Sequence, residues 1–422
     1  MRSNYKRIGD FIELIDERNK KLEVNTLVGL SISKKFIPSV ANTIGTDMAN
    51  YKIIRKNQFA CSLMQVRRDK KIPVALLQKF DEAIISQAYP VFQIKDESEL
   101  LPQYLMMWMS RSEFDRHACF LAVGGVRGSL EWDDFCDMEL PVPSIEKQGE
   151  IVKEFNTIVK RIKLNEQLNQ KLEETAQTLY KHWFVDFEFP NADGKPYKSS
   201  GGKMEYNAEL EKEVPKGWEV NSLSEFLSIK HGYAFKGEFI TQNETGNILL
   251  SPGNFEIGGG FKANNFKYYS GSIPSEYIFK DGDMMVTMTD LSKACDTLGY
   301  PALIPNYKNK KLLHNQRLGK VMFNKDSADK LYFYWLMREF SYRQEVVGSA
   351  TGTTVKHTSP SKILEYRFPL PSDANSISKF CKKTTKLNQM QELLVKEILL
   401  NIDFKDLLLS KITKVETEKE AI

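Results

Sequence analysis

Side chains that could act as nucleophiles, bases or metal ligands are few and scattered in this chain of 422 residues. The five histidines lack ligand spacing, and the five cysteines form no Cys-x-x-Cys pair, so neither a zinc site nor a disulfide framework is indicated. We predict reduced thiols and structural roles for the histidines. His357, which lies in a loop with Thr353, Thr354 and Lys356, is a further candidate for contact with DNA.

Motifs for group-transfer chemistry are also missing. An adenine amino-methyltransferase holds the flipped base with a Pro-Pro-aromatic motif that follows Asp, Asn or Ser, and none occurs. The triple glycine Gly258–Gly260 lacks the strand and helix pattern of a dinucleotide-binding loop and predicts a hairpin turn. There is no Walker motif and no acidic pair with a nearby lysine suited to a nuclease. The sequence therefore predicts a non-catalytic protein with no bound cofactor or metal.

Cations, by contrast, are concentrated, although the net charge is only +4. Residues 48–80 contain eight basic side chains and one acid, and residues 297–325 contain six basic side chains and no acid. Basic surface interleaved with Asn, Gln and Tyr suits phosphate contacts and hydrogen bonds to base edges. The alternative for either stretch alone is an ordinary solvated surface. We expect the two stretches to occupy equivalent places in an internal repeat, which favours DNA binding.

The candidate DNA-contacting residues come from these stretches, from a lysine pair near the N-terminus and from two glycine-containing loops. They are Lys34, Lys35, Arg67, Arg68, Lys70, Lys71, Arg127, Lys308, Lys310, Lys311, Arg317 and Lys356.

Two long helices are predicted to position these residues. In the proline-free stretch from Ile145 to Phe184, residues from Ile151 to Trp183 recur in steps of four and three, as in a coiled-coil seam, and a second seam runs from Thr384 to Ile412. The chain order favours an antiparallel pair, with each helix up to about 58 Å long. The polar seam residues are expected either to control register or to face solvent. They are Asn165, Asn169, Gln391 and Asn401.

Apolar residues beside the seams widen the stripe beyond what one partner helix covers. We expect them to bind a partner protein. These residues are Val152, Val159, Leu168, Phe184, Leu393, Leu400 and Leu407.

The two halves of the chain repeat each other at an offset near 225 to 228. Trp108 aligns with Trp335, Gly124 with Gly352, and the Pro-x-Pro-Ser ending of each half precedes a long helix. The predicted fold class is α/β (α+β), with two mixed domains, an antiparallel coiled coil and a pseudo-twofold repeat. The predicted boundaries are a first domain at 1–144, a central helix at 145–185, a connector at 186–214, a second domain at 215–372 and a C-terminal helix at 373–415.

The composition excludes a membrane protein among the expected classes. No run of 18 apolar residues occurs, and the N-terminus has no apolar signal region. We therefore expect a cytoplasmic protein without a membrane partner.

At this level of detail the sequence resembles the specificity subunit of a type I restriction-modification system. The resemblance is carried by the repeat, by the Pro-x-Pro-Ser junctions at Pro141 and Pro369, by the central NEQLNQKLEETAQTLYKHWFVDFEFP and by the connector ending at Trp218. It implies two target recognition domains that read double-stranded DNA as an asymmetric, split target. It also implies two modification subunits docked on the helices, which bring S-adenosylmethionine and adenine methylation, and restriction subunits that bring ATP and Mg.

Two alternatives remain open from the sequence. One is the recognition subunit of a bipartite type II restriction system. Such a subunit recognises DNA in the same way, but its partner is a single chain in which a nuclease and a methyltransferase are fused. The other is a coiled-coil scaffold that binds proteins and no DNA.

Overall fold

A four-stranded antiparallel sheet is the centre of the first globular domain. The structure, a computed structural model, describes residues 5–39, 46–124, 128–292, 294–307, 310–324, 330–372 and 374–412. The elements of domain one are β1 (Tyr5–Arg7), α1 (Ile8–Phe11), β2 (Ile12–Ile15), β3 (Val28–Leu30), β4 (Phe36–Pro38), β5 (Lys52–Arg55), β6 (Phe59–Cys61), α2 (Val66–Asp69), β7 (Val74–Leu76), β8 (Glu82–Ile85), β9 (Val91–Ile94), α3 (Pro102–Met109), α4 (Ser112–Leu121), α5 (Trp132–Asp137) and β10 (Glu139–Pro141).

The sheet of domain one has the strand order β2-β9-β6-β7. Phe59 of β6 lies opposite both Leu76 and Phe92, and its ring stacks on that of Phe92 with centroids 4.9 Å apart. Helices α3 and α4 contribute Trp108 and Phe114 to the same core. The first and last strands of the domain, β1 and β10, pair with each other, so the domain closes where the long helix begins.

The first long helix, α6, spans Ile145–Tyr180 and ends in one π-helical turn, Lys181–Val185. The connector that follows carries a short hairpin. Its strands are β11 (Met204–Asn207) and β12 (Lys212–Pro215).

Domain two repeats the architecture of domain one and adds strands to its second sheet. Its elements are β13 (Glu219–Ser222), β14 (Leu227–His231), β15 (Ile240–Thr241), β16 (Asn247–Leu249), β17 (Lys267–Tyr269), β18 (Ile278–Phe279), β19 (Met284–Thr287), β20 (Thr289–Asp290), β21 (Pro301–Leu303), β22 (Lys311–Leu313), β23 (Leu318–Phe323), α7 (Lys330–Leu336), α8 (Phe340–Gly348), β24 (Lys356–His357), α9 (Pro360–Leu364) and β25 (Arg367–Leu370). The second long helix, α10, spans Ala374–Lys411.

The topology confirms the internal repeat. The sheet order β14-β23-β19-β21 of domain two matches β2-β9-β6-β7 of domain one, and β13 pairs with β25 as β1 pairs with β10. The smaller sheets also correspond, because the parallel bridge Leu27–Ile84 has its counterpart in the parallel pair Ile248–Leu312. The fold class predicted from the sequence is therefore correct.

The contacts of the chain divide it into two units, Met1–Glu166 with Lys396–Ile422, and Gln167–Val395. In the first unit, Ile151 of α6 shares a core with Leu409 and Ile412, and Arg161 pairs with Glu397 at 2.6 Å. Since the α10 residue number falls as the α6 number rises, the two helix segments are antiparallel there.

The second unit shows the same antiparallel order. Gln391 Nε2 donates to Glu173 Oε2 at 2.6 Å, and the rings of Trp183 and Phe380 lie 6.1 Å apart. Of the polar seam residues, Gln391 thus bonds across the seam, whereas Asn401 Nδ2 donates to Glu397 O of its own helix. Gln391 therefore fits the expected control of register, and so does Asn165, which is buried in the seam and interacts with Glu397 across it.

Glu173 also connects the helix pair to domain two. Its Oε1 pairs with the guanidinium of Arg338, whose Nε donates to Gly258 O at 2.9 Å. Gly258–Gly260 all have positive φ and form the expected hairpin turn, closed by the bond from Glu256 N to Gly260 O.

The guanidinium of Arg338 is buried, and burial lowers its pKa to about 9. Burial thus makes this charge costly, and the carboxylate of Glu173 offsets part of the cost.

Replacement of Glu173 by alanine should destabilise the second unit by about 3 kcal/mol, because a buried guanidinium then loses its counter-charge. Urea unfolding followed by tryptophan fluorescence measures this. Glu174→Ala is the matched control: Glu174 pairs with Lys171 on the exposed helix surface and should cost about 0.5 kcal/mol or less. Equal losses in the two variants would contradict the role of Glu173.

Candidate nucleic-acid interface

Two loops of domain one are joined at one end of its central sheet. Loop A1 (residues 62–73) follows β6, and loop B1 (residues 122–131) follows α4. Arg67 of loop A1 donates through Nη1 to Gly124 O at 2.9 Å, and its backbone N donates to Gly128 O at 3.2 Å. A Cβ on Gly128 would lie only 3.1 to 3.3 Å from Val123 O, Arg67 Cβ and Gly124 O, so this close approach favours glycine.

This loop pair presents a cluster of exposed cations. Arg67, Arg68, Lys70 and Lys71 are all exposed. The only acid among them, Asp69, pairs with Arg68 at 2.6 Å, and the hydrogen bond from Arg68 lowers the pKa of Asp69. The cluster therefore keeps a net positive charge that suits phosphate contacts.

Lys34 does not belong to the exposed cluster, contrary to expectation. Its Nζ lies 2.8 Å from Asp115 Oδ1 with both side chains 9% exposed, and it also donates to Met109 O. Burial lowers the pKa of Lys34. Because its charge is neutralised within the protein, we withdraw it from the DNA-contacting set. Its neighbour Lys35 is exposed in the same turn, which Asp115 ties to loop A1 by accepting from Ile72 N at 3.2 Å.

Domain two joins the equivalent loops by a small sheet. Loop A2 (residues 288–300) follows β19 and contains β20, and loop B2 (residues 349–359) follows α8 and contains β24. In the pairing of β20 with β24, Asp290 lies opposite Lys356 and Thr289 lies opposite His357. The predicted Gly352 loop thus contacts the loop after β19, as the Gly124 loop contacts the loop after β6.

Asp290 organises loop A2. Its carboxylate accepts hydrogen bonds from Ser292 N at 2.7 Å, Thr297 N at 2.6 Å and Leu298 N at 3.1 Å. Burial alone would raise the pKa of Asp290, but these donors outweigh it and lower the pKa. Asp290 is a structural acid that holds the loop in shape, a role the sequence gave no sign of.

The second basic stretch is split by the fold. Arg317 O accepts from Met288 N at 3.1 Å, so the exposed Arg317 lies beside the start of loop A2. Lys310 and Lys311 lie at the other end of β22, where Lys311 N donates to Gly246 O and Lys310 pairs with Glu244.

The expectation that the two basic stretches occupy equivalent places is therefore wrong. Loop A1 corresponds to loop A2, whereas Lys310 directly precedes β22 and Lys311 begins it, and β22 is the counterpart of β8. Lys308 and Arg127 lie outside the described residues, so their placement stays a prediction.

Segments of this chain match a known protein family and several known proteins. Residues 4–174 match the family model described as the type I restriction modification DNA specificity domain. The specificity subunit of type I restriction enzyme MjaIX from Methanocaldococcus jannaschii is 30% identical over 133 residues, which cover 32% of this chain and 29% of that protein. The MjaVIII specificity subunit of the same organism is 25% identical over 246 residues, covering 56% and 52%.

The crystal structure of a type I restriction-modification S subunit from M. genitalium matches with a TM-score of 0.51 and 13% identity over 98% of this chain and 96% of that one. That likeness concerns the fold alone. The family model thus matches the first domain and most of α6. The resemblance inferred from the sequence is thus confirmed, while the matched segments span less than two thirds of the length of the two relatives from M. jannaschii.

The long helices present apolar side chains that their own seam leaves uncovered. Val159, Leu168, Leu393, Leu400 and Leu407 are between 39% and 68% exposed. The last three recur every seven residues and so share one face of α10.

Two of the residues predicted to bind a partner are used inside the units instead. Phe184 is buried, with its ring 4.9 Å from that of Tyr332 and 5.2 Å from that of Phe380. The prediction for Phe184 is wrong because the π-helical turn directs it into the core of the second unit. Val152 is half-buried against the core of the first unit.

A cationic stripe on α10 was not identified from the sequence. Lys379, Lys382, Lys383 and Lys386 are exposed and border a shallow depression of about 300 Å³ beside Trp183. The signal was available, since this spacing places all four on one helix face and residues 374–391 contain no acid. Elsewhere in the described part of the chain, no three His, Cys, Asp or Glu side chains converge as a metal site, and no described helix could span a membrane.

The arrangement of the loops predicts that two pairs of lysines contribute unequally to the salt dependence of DNA binding. For the full chain bound to duplex DNA, Lys70→Gln with Lys71→Gln should reduce the slope of log K against log salt by about two, because each phosphate contact contributes about 0.9. Lys310→Gln with Lys311→Gln removes the same charge away from the joined loops of domain two and should leave the slope unchanged. The reverse result would place the interface at the β22 end.

Proposed function

We propose that this chain is the DNA specificity subunit of a type I restriction-modification complex. One observation carries the proposal: two domains of the same topology each bring a basic or polar loop and a glycine loop together at the same end of the central sheet. The repeated topology predicts two DNA-recognition domains. Divergence of the loop sequences predicts that they read different half-sites.

In this proposal, charged side chains contact the phosphates and uncharged hydrogen-bonding side chains contact the bases. The cations of loop A1, with Arg317 and Lys356 in domain two, neutralise phosphates and set the register of each domain on the duplex. Thr353, Thr354 and His357 of loop B2 supply uncharged donors and acceptors of the kind that contact base edges. The methylated target is therefore one asymmetric sequence in two parts.

The chain supplies no chemistry of its own in this proposal. Two modification subunits dock on the exposed apolar face of the long helices and bring S-adenosylmethionine and the adenine methylation site. Restriction subunits, with ATP and Mg, complete the larger assembly. The support is the set of exposed leucines on α10 and the match to a specificity domain.

Methylation mapping tests the reader assignment. Long-read, single-molecule mapping of DNA from cells that express the chain with its modification subunit should show one split, asymmetric adenine-methylated motif, which is absent when the chain is omitted. Exchange of residues 1–141, which end with β10, for another recognition domain should change one half of the motif only. Methylation that persists without the chain would remove the specificity assignment and favour the protein-binding scaffold.

The docking face is tested by two leucines of one helix. Leu400→Ser with Leu407→Ser should weaken binding of the modification subunit at least tenfold, since burying a leucine is worth about 1.5 to 3 kcal/mol. Calorimetric titration of the purified subunits measures it. Ile257→Ser with Phe340→Ser is the control, because these residues are more exposed than the two leucines but belong to domain two; a comparable loss there would contradict docking on α10.

A further inference from the structure

Each loop A carries one aliphatic side chain that points away from the core. Met64 in loop A1 is 49% exposed, and Leu291 in loop A2 is 65% exposed. The residues beside them behave differently, since Leu63 packs on the core of the first unit and Asp290 is buried. The exposure therefore belongs to these two positions and is not general to the loops.

The two positions lie in corresponding loops of the repeat. Met64 stands ten residues before Val74, the first residue of β7, and Leu291 stands ten residues before Pro301, the first residue of β21. Strands β7 and β21 occupy the same edge of the two central sheets. Both loops thus keep an exposed apolar residue between corresponding strands of the two sheets.

The surroundings of both residues are cationic. Met64 adjoins Leu63, whose carbonyl oxygen accepts from Leu130 N of loop B1 at 2.9 Å, and Arg67 and Arg68 follow it in loop A1. Leu291 follows Asp290, which lies opposite Lys356, and loop A2 begins at Met288, whose N donates to Arg317 O.

An exposed apolar side chain in a loop that lies beside exposed cations suits the groove of a DNA duplex. Cations of such a loop contact phosphates, and the apolar side chain reaches the base edges in the groove. The apolar group that a base pair offers in the major groove is the C5-methyl of thymine.

We propose that Met64 and Leu291 each contact the C5-methyl group of a thymine, one in each half-site. The inference rests on the proposed function and adds to it an apolar base contact in each half-site. Within each loop A, the cations fix the register on the phosphates and the aliphatic residue discriminates thymine from the other bases.

Thymine-to-deoxyuridine exchange tests the contact, because it removes one methyl group and nothing else. The complex of the full chain with its modification subunit is titrated with duplexes that carry its methylation motif, with one thymine replaced at a time. For the unaltered complex, one position in the half-site read by domain one should weaken binding about fourfold, as the burial of one methyl group, about 0.8 kcal/mol, predicts.

The Met64→Ala complex should bind the thymine duplex about fourfold more weakly and should show no further loss at that one deoxyuridine. Leu291→Ala should behave in the same way at one position of the other half-site. Met322→Ala, an exposed methionine on β23, is the control and should keep the sensitivity of the unaltered complex.

The outcomes separate this inference from the function on which it rests. If the unaltered complex does not prefer its motif to other duplexes, the specificity function itself fails. If it prefers the motif but Met64→Ala still loses affinity at every thymine where the unaltered complex does, the methyl contact is overturned. An equal loss on motif and non-motif DNA would also overturn it, since that result marks a contact without sequence discrimination.

Discussion

Each globular domain completes its hydrophobic core with side chains from the long helices, and the rest of the structure depends on that packing. In the second unit Tyr180, Trp183 and Phe380 belong to the same core as Tyr332 and Trp335. In the first unit Ile151, Leu409 and Ile412 are buried with the residues of domain one. A domain that shares its core with a helix cannot rotate on it without exposing that core. The loops are therefore held at a set orientation to the helix segments of their own unit.

The helices and the repeat were predictable because both leave periodic signals in the sequence. Seam residues from Ile151 to Trp183 recur at helical spacing over many turns, and all of them are buried or half-buried. The short strands left a weaker signal. Strands such as β1, β10 and β24 have two or three residues, too few for alternation to appear, and they form because a distant strand offers hydrogen bonds.

The candidate site was predictable in composition but not in geometry. Charge alone identified Arg67, Arg68 and Arg317, but it could not separate them from Lys34, whose burial depends on an acid 81 positions away at Asp115. It also could not show that Lys311 and Arg317, six residues apart, lie at opposite ends of β22. Which end of a strand a residue occupies follows from the pairing of the sheet, and that pairing is set by residues remote in sequence.

Duplicated topology with divergent loops explains how one chain can hold two different readers. Pairing in the central sheets places Phe59 and Met284 at equivalent positions, and this pairing does not depend on what the loops contain. Loop A1 is then held by Arg67 against loop B1, whereas loop A2 is held by Asp290 and the β20–β24 pair. The two loops reach the same place by different interactions. The other exposed side chains of the two loops, such as Lys70 and Lys71, are free to differ, because they do not hold the loop.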